Sequence, residues 1–309
     1  MTTTNLTALV LHFRDHAATL QCLSSLMTDG FVHAIVIDNS EDAGRSLEAL
    51  QSACSARLSG FNILFHHNQT NTGFARGANI GIAMARDLGF SRVLLINSDA
   101  TLEAGSLNDM QALGRECAIT YPRVRANHDA PPVSPLNHYH RPTGLVLRTA
   151  RPGAFPYPTG CCLLLNLELL PDTPLFDEDF FFYGEDVELA ARLASSGKIM
   201  QECHSATVTH IGSGSSRNGS FFYEYHVNRS HLLLAGKLAP DSFRKTGYLL
   251  ARLVILPLRA TLRSWRHKSL APWSALLQAL LDTTFGSRRS HTPPPVNGHP
   301  TFAVPPEGR

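Results

Sequence analysis

The 309-residue chain is predicted to be an α/β protein with a mostly parallel central sheet flanked by helices. Three observations predict this class. Short apolar runs alternate with helix-like segments through the first third of the chain. Two of these runs end in polar turn residues that include an aspartate. The length and a hydrophobic content of 43% suit one domain with a sizeable core and an appendage.

The N-terminal part of the chain predicts repeated βαβ units. Residues 8–13 form an apolar run typical of a buried parallel strand, and 17–26 carry leucines at helical spacing. A second apolar run at 34–37 stops at the turn-forming residues 38–40. The alternation continues with a helix at 46–58, a strand at 62–66, a helix at 77–88 and a strand at 92–96. Such units predict right-handed crossovers and parallel strands.

Asp38 and Asp99 directly follow two of these strands. Because ligands bind beyond the carboxyl ends of the strands in open parallel sheets, we expect both carboxylates to face one crevice. Asp99 is a candidate ligand for Mg or Mn, which prefer carboxylate oxygens. An ordinary turn aspartate is the alternative interpretation.

The second half of the chain is less regular. Residues 121–158 are rich in Pro, His and Arg without a clear period, which predicts a long surface segment, either an ordered active-site loop or a flexible one. A strand at 161–166, a helix at 185–195 and a strand at 206–211 follow. The last strand contains His210, a candidate Mn ligand or a packed core histidine. It leads into a Gly/Ser loop at 212–216 whose amides suit phosphate.

Two further segments carry chemical groups. Glu185 and Asp186 begin a predicted helix directly after four aromatic residues at 180–183. Aromatic faces can stack on sugar rings, and a buried carboxylate can accept the proton of a hydroxyl group. The alternative interpretation is that the two acids cap the helix and the aromatic residues pack in the core. Gly73 and Arg76 lie in a segment that suits backbone and cationic contacts to a nucleotide. Its Gly-x3-Gly-x3-Gly spacing argues against a dinucleotide fingerprint.

The composition argues against other classes of protein. A net charge of +2 lacks the basic footprint of a nucleic-acid-binding protein, so no such partner is expected. Six cysteines without CxxC spacing predict reduced core thiols rather than a zinc site or a disulfide scaffold. The first residues lack the basic and long apolar regions of a signal peptide, so we expect a cytoplasmic protein.

Taken in order, seven segments resemble the family 2 glycosyltransferases of the GT-A fold, especially the rhamnosyltransferase-like branch. They are ALVLHFRDHAATLQCLSSL, IVIDNS, NQTNTGFARGANIGIA, LLINSDA, GCCLLL, PLFDEDFFFYGEDVELAARLASSG and ATVTHIGSGS, within residues 8–216. The resemblance implies an inverting hexosyltransferase that uses a pyrimidine nucleoside-diphosphate sugar. The donor that it favours is dTDP-L-rhamnose, from which L-rhamnose would be transferred. The implied acceptor is a cell-surface polysaccharide or a polyprenyl-linked glycolipid.

The resemblance also implies roles for individual residues. Donor-binding roles fall on Asp38, Asn71, Gly73, Arg76, Asn97 and Asp99. Among these, Asp38 is implied to hydrogen-bond the pyrimidine, and Asp99 to hold Mg or Mn together with His210. Asp186 is implied to be the general base, with Glu185 contacting the acceptor or the donor sugar.

Two departures from the family pattern affect these expectations. His12 and Phe13 stand where the family often has Tyr-Asn, which leaves the contacts to the base open. The motif from Asn97 to Asp99 contains one carboxylate, as in the rhamnosyltransferase-like branch, and therefore predicts modest cation affinity.

Two other functions stay open at the level of sequence. A noncatalytic sugar-binding relative would keep the fold without turnover, although the set of Asp99, Glu185, Asp186 and His210 argues against it. A nucleotidyltransferase that makes the activated sugar would need a Gly-rich loop with a basic residue after the first strand. The segment LHFRDHAATL has no such loop.

Three regions are predicted: a GT-A domain at 1–240, a basic amphipathic helical appendage at 241–286 and a disordered tail at 287–309. In the appendage, one helical face carries Arg252, Arg259, Arg263 and Arg266, and the other carries Leu250, Leu253, Val254, Leu258, Leu262 and Trp265. Pro257 predicts a kink. The basic helix favours peripheral association with the cytoplasmic face of the inner membrane, and packing on the catalytic domain or on a dimer partner is the alternative. The sequence does not predict the oligomeric state.

Overall fold

The computed structural model of the chain describes residues 5–127, 129–172, 174–210 and 218–285. Its strands are β1 (Leu6–His12), β2 (His33–Asp38), β3 (Asn62–His67), β4 (Arg92–Asn97), β5 (Ala100–Leu102), β6 (Ile119–Arg125), β7 (Leu136–His140), β8 (Val146–Leu147), β9 (Ala154–Pro158), β10 (Cys162–Asn166) and β11 (Met200–His210). Eight of them form one sheet in the order β3-β2-β1-β4-β10-β6-β11-β5. The predicted α/β class with a mostly parallel sheet is confirmed.

The direction of the strands places the functional edge of the sheet. β1 pairs in parallel with β2 and with β4, and β2 pairs in parallel with β3. β10 lies antiparallel between β4 and β6, β11 runs parallel to β6, and β5 runs antiparallel to β11. The carboxyl ends of β1 to β4 therefore meet at a single edge.

Helices cover both faces of this sheet. They are α1 (His16–Thr28), α2 (Arg45–Arg57), α3 (Gly73–Asp87), α4 (Ser106–Leu113), α5 (Glu185–Ser195), α6 (Phe221–Lys237), α7 (Ser242–His267) and α8 (Ala271–Phe285). Alternate residues of each central strand serve two different cores: Val36 packs with Leu23 and Leu50 beneath α1 and α2, whereas Ile35 packs with Ile82 beneath α3. Because both faces of the sheet are buried, the sequences of these strands are continuous apolar runs.

The segment at 121–158 was predicted to be a long surface segment, either an ordered active-site loop or a flexible one, and it contains regular strands instead. It contains the end of β6 and a second, three-stranded sheet in the order β8-β7-β9. Tyr139 and Phe155 are buried in a core with Val187 of α5 and Leu234 of α6. The prediction failed because the apolar residues are spaced among Pro, His and Arg, and their partners are remote in sequence.

Other differences concern the ends and the number of elements. α3 begins at Gly73 rather than at residue 77, and β11 begins at Met200 rather than at residue 206. The helices α4 and α6 were not predicted. The Gly/Ser loop at 212–216 and the tail at 287–309 lie outside the described residues.

Three helices follow the sheet. α6 packs on α7 and α8, and a small core joins Tyr225 and Leu232 of α6 to Leu256 of α7 and Leu276 of α8. α7 continues through Pro257. The division of the chain into regions at 1–240 and 241–286 stays a prediction.

The six cysteines are all buried and unpaired, as the sequence predicts. Burial raises the pKa of the Cys54 and Cys161 thiols to about 11, so both stay protonated near neutral pH. They act as small apolar side chains of the core.

Candidate active site

A row of polar side chains crosses the carboxyl ends of the first three strands. The parallel registers place His12, Asp38 and His67 opposite one another. Asp38 is fully buried, and its carboxylate accepts a hydrogen bond from the Ser40 backbone N–H at 3.0 Å and lies 2.8 Å from His67 Nδ1. The partly exposed His67 ring is therefore the accessible member of the pair.

This arrangement changes what the sequence predicts for Asp38. A fully buried carboxylate with two partners offers a ligand less access than its position at the end of a strand suggests. His67 was not among the predicted site residues. The strand register that pairs it with Asp38 comes from the tertiary structure.

His12 closes the other end of this row. Its Nδ1 lies 2.8 Å from Thr19 Oγ1, and burial lowers its pKa, so the ring is neutral near pH 7. Its Nε2 is buried without a hydrogen-bond partner among the described residues. Such an orphaned polar atom is typical of a site that is completed by water or by a ligand.

The loop before α3 is held by Asn39. Its side chain donates to the Gly73 carbonyl at 3.0 Å and accepts from Asn68 at 2.8 Å and from Thr72 Oγ1 at 3.0 Å. The predicted residue Asn71 makes a local turn, in which its side chain accepts the Gly73 N–H at 3.0 Å. Asn71 therefore shapes the loop.

Gly73 allows this loop to contact the segment that leads to α5. Its φ of 78° lies in the left-handed region, and an added Cβ would come within 2.4 Å of the Phe181 carbonyl. That same carbonyl accepts the Phe74 N–H at 2.8 Å. Arg76, one turn later, is exposed and can reach a ligand at the N-terminal end of α3.

Asp99 and His210 meet because β5 pairs with the end of β11. The antiparallel register sets His210 opposite Ala100, the residue after Asp99. His210 Nε2 lies 3.1 Å from Asp99 Oδ1 and 3.4 Å from Asn97 Nδ2. Three predicted donor or metal residues are thus brought together.

This pair has the chemistry of a shared cation site. A carboxylate oxygen and an imidazole nitrogen suit Mn, and Mg is commonly held by one or two carboxylates together with the phosphates of a substrate. Among the described residues, no group of three or more His, Cys, Asp or Glu side chains is placed to bind a metal. The pair fits a cation that takes its remaining ligands from a diphosphate and water.

The turn at Gly160 and Cys161 joins the two halves of the site. The Cys161 carbonyl accepts the Asn97 N–H at 2.9 Å, and the Gly160 backbone N–H donates to the Asp186 carboxylate. The turn therefore contacts both the end of β4 at Asn97 and the start of α5 at Asp186. The sequence indicated this segment only as part of a matching motif.

Glu185 and Asp186 begin α5 after a strained turn. Tyr183 and Gly184 have φ of 66° and 94°, and an added Cβ at Gly184 would come within 2.0 Å of Ser230 Oγ. A glycine is needed here because the backbone is left-handed and the space is filled. The turn directs two adjacent carboxyl groups into the protein at the positive end of the helix dipole.

The two carboxyl groups differ in their hydrogen bonds. Burial raises the pKa of Asp186, while N–H groups of Val187 and Gly160 stabilise its charged form. Burial and the neighbouring Asp186 charge raise the pKa of Glu185, whose Oε2 has no hydrogen-bond partner within the described part of the chain. Near neutral pH, we therefore expect Asp186 to carry the charge and Glu185 to keep its proton.

Replacing Glu185 with Gln is expected to stabilise the protein at alkaline pH and to leave its stability in acid unchanged. The folded state of the wild type holds a proton that the unfolded state releases at a lower pH, so wild-type stability falls as pH rises between the two pKa values. Glutamine removes this loss, and the expected gain is about 1–3 kcal/mol. Urea unfolding across a pH series measures it. Glu168→Gln, at an exposed site, is the control, and equal behaviour of both variants would contradict the assignment.

Aromatic rings from two elements line this side of the site. Phe181 stacks on His226 of α6 at 5.0 Å between ring centroids, and Phe182 lies 6.0 Å from Phe222. Tyr183 makes an edge contact with Tyr223 at 5.3 Å. The sequence predicted the first set of rings and missed the second, because it gave no prediction for α6.

Comparison with solved structures identifies the architecture. The chain matches a mannosyltransferase from Pyrobaculum calidifontis in complex with GDP-Man and Mn2+, with a TM-score of 0.56 and 13% identity over 91% of this chain and 87% of that one. It also matches S. aureus TarS 1–349 in complex with UDP-GlcNAc, with a TM-score of 0.54 and 17% identity over 90% and 80% of the two chains. The chain has the GT-A fold.

A third match extends the comparison to a longer protein. The GalNAc-T7 structure with UDP, GalNAc and Mn2+ has a TM-score of 0.56 and 12% identity, and the match covers 90% of this chain and 57% of that one. The sequence matches no protein-family model and no curated protein. The GT-A fold predicted from the seven segments is confirmed, while family 2 and the rhamnosyltransferase-like branch stay predictions.

Proposed function

We propose that the chain is an inverting glycosyltransferase that moves L-rhamnose from dTDP-L-rhamnose to a glycan acceptor. One observation carries the proposal: Asp186 and the Asp99–His210 pair lie on two sides of the Gly160–Cys161 turn in a GT-A fold. A base for the acceptor hydroxyl and ligands for a diphosphate-bound cation are the two groups that such a transfer needs.

Support for a nucleotide-sugar donor comes from the fold and the site together. The matched structures carry GDP-Man, UDP-GlcNAc, and UDP with GalNAc, so the fold accepts different nucleotides and sugars. The resemblance of the sequence to the rhamnosyltransferase-like branch favours the dTDP-sugar. We propose that the base of the nucleotide lies against His67, which Asp38 orients, and that Arg76 approaches the nucleotide from α3.

Asp186 acts as the general base for the acceptor hydroxyl. Its carboxylate takes the proton of the acceptor hydroxyl as the hydroxyl oxygen bonds to the anomeric carbon. The bond from that carbon to the diphosphate oxygen breaks on the opposite face, which inverts the configuration. Glu185 is buried beside Asp186, and its Oε2 has no partner among the described residues, so we propose that it contacts the acceptor or the donor sugar once the site is occupied.

Asp99 and His210 would hold Mg or Mn. The cation, when bound, offsets the negative charge that builds on the departing diphosphate. Asn97 is held by β4 and by the Cys161 carbonyl, and Asp99 lies against His210 of β11. We propose that the acceptor is a polysaccharide or a polyprenyl-linked glycolipid, used at the cytoplasmic face of the inner membrane.

Release of nucleoside diphosphate from candidate donors tests the proposal. The protein is incubated with dTDP-L-rhamnose, UDP-sugars and GDP-sugars in the presence of Mg or Mn. We expect slow hydrolysis of dTDP-L-rhamnose, loss of this activity on addition of a chelator, and a roughly 100-fold or greater decrease in Asp99→Asn. Asp109→Asn, an exposed carboxylate on α4, is the matched control.

Each other outcome points to a different function. Release from a UDP-sugar or a GDP-sugar would keep the transferase and change the donor. Tight binding of a nucleotide sugar without turnover, measured by calorimetry, would favour a noncatalytic relative. Release of pyrophosphate from a nucleoside triphosphate and a sugar phosphate would favour a nucleotidyltransferase.

A further inference from the structure

The outer face of α7 and α8 is apolar and exposed to solvent. On α7 it carries Phe243, Leu250, Leu253, Val254, Leu258, Leu262 and Trp265, and on α8 Trp273, Leu277, Leu281 and Phe285. Leu258 is 60% exposed and Trp265 is 82% exposed. We call this set of side chains the outer apolar face. A contiguous apolar surface of this kind on a soluble domain is typical of a contact with another molecule.

The face exists because α7 packs on the domain through its arginines. Arg252 is fully buried and donates to the carbonyls of Pro142 at 2.5 Å and Arg141 at 2.9 Å. About two turns along, Arg259 Nη1 donates to Glu224 at 2.6 Å, and Arg263 contacts the same buried carboxylate. At about 100° per residue, these three arginines fall within one narrow stripe.

This packing inverts the arrangement expected of a surface helix. In an ordinary amphipathic helix the apolar side faces the core and the charged side faces water. Here the hydrogen-bond partners of the arginines lie on α6 and in the loop after β7, so the leucines opposite them face outward. The predicted basic face is therefore largely internal, and of its four arginines only Arg266 is exposed.

Among residues 241–285, all of which the structure describes, the exposed charges are mostly positive, and the exposed acid is Asp241, which lies 3.8 Å from Arg244 at the start of α7. The exposed cations of this range are Arg244, Lys245, Arg266 and Lys268. Its other acid, Asp282, is partly buried and accepts hydrogen bonds from Tyr225 at 2.6 Å and Gln278 at 2.9 Å. An apolar strip with cationic borders is complementary to an anionic lipid surface, where apolar groups enter the acyl region and cations stay at the headgroups.

A second copy of the chain fits this face less well. A two-fold interface brings the same patch of each copy together, so it would gather two sets of four exposed cations against one exposed acid per copy, Asp241, within residues 241–285. A spanning arrangement is also disfavoured, because none of the described helices is long and apolar enough to cross a membrane. A pair of helices that lies in the plane of an anionic membrane surface would agree with the excess of exposed cations and with helices that cannot span a membrane.

We propose that the outer apolar face lies at the headgroup boundary of an anionic bilayer, with α7 and α8 parallel to its surface. This assignment does not depend on the reaction at the active site. At the C-terminal end of α7, Arg263 donates to Asn218, and the His267 ring packs against Gly219, where an added Cβ would come within 2.7 Å. These contacts hold the last two turns of α7 on the domain.

Vesicle flotation with the full chain tests the proposal. Vesicles of phosphatidylcholine alone are compared with vesicles that also contain phosphatidylglycerol. We expect the protein to float with the anionic vesicles, and Leu258→Glu to lower its partition coefficient about tenfold or more, since a charge replaces an apolar group that leaves water on docking. Leu88→Glu is the matched control, because Leu88 is 55% exposed but lies at the end of α3. It is expected to bind as the wild type does.

The cationic border has its own test. Replacing Arg244, Lys245, Arg266 and Lys268 with Gln is expected to lower binding to anionic vesicles about tenfold or more and to remove its salt dependence. Circular dichroism and the thermal midpoint confirm that each variant is folded. Equal binding of wild type and Leu258→Glu would overturn the proposal. So would a concentration-dependent dimer that Leu258→Glu dissociates, seen by light scattering in a protein that does not float.

Discussion

Asp186→Asn is expected to lower kcat for glycosyl transfer by about 10²–10⁴-fold, the range typical of a lost general base. Asparagine keeps the size of the side chain, and its Oδ1 can still accept the Val187 N–H, so the start of α5 is retained. Initial rates with the donor found in the hydrolysis screen measure the effect. Binding of the nucleoside diphosphate should be nearly unchanged, because Asp186 acts on the acceptor.

The pH profile of the wild type gives a second signature of the same residue. A base works in its ionised form, and burial raises the pKa of Asp186, so activity should fall as the pH drops through a value above that of an ordinary aspartate. The residual activity of Asp186→Asn should lack this limb. Glu188→Gln, on the same helix and in an ion pair with Arg192, should keep both the rate and the profile. Full activity of Asp186→Asn would remove Asp186 from the mechanism.

Arg252→Met is expected to lower the free energy of unfolding by about 3 kcal/mol. Methionine fills part of the space but cannot donate, so the part-buried carbonyls of Arg141 and Pro142 lose their partners. An unsatisfied buried polar group typically costs about 1–3 kcal/mol, and two part-buried ones lie toward the low end of that range each. Chemical denaturation measures the change. Arg252→Lys should also be destabilised, since one ammonium group cannot reproduce the fork of a guanidinium.

Arg266→Met is the control for this prediction. It lies on the same helix and makes the same chemical change, but Arg266 is exposed, so its effect should stay within about 0.5 kcal/mol. Equal stability of the two variants would mean that Arg252 is not the anchor of α7. The assignment of the outward side of that helix would then lose its basis.

The sequence was most informative where local pattern and burial agree. The apolar runs that became β1, β2 and β4 were recognisable because both faces of these strands are covered by helices. Two aspartates, Asp38 and Asp99, stood out because they lie at the carboxyl ends of strands, where a parallel sheet binds its ligands. The Glu185–Asp186 pair stood out because it begins a helix. The order of the segments was enough to predict the GT-A fold.

Other parts of the site could not be read from local pattern. His210 is 111 residues from Asp99, and the pairing of β5 with β11 joins them. His67 is 29 residues from Asp38 and is placed beside it by strand register. Gly160 has no functional side chain that a sequence pattern could reveal. Its backbone N–H becomes part of the site only because the fold brings the Asp186 carboxylate next to it.

The C-terminal helices show the difference most directly. The sequence by itself determined that α7 is amphipathic, because side-chain order along a helix fixes which residues share a side. It did not determine which side faces the protein. That was decided by acceptors on remote elements, the buried Glu224 of α6 and the part-buried carbonyls of Arg141 and Pro142, which hold the arginines inward and leave the leucines exposed. A periodic pattern specifies a face, whereas only packed partners specify what that face meets.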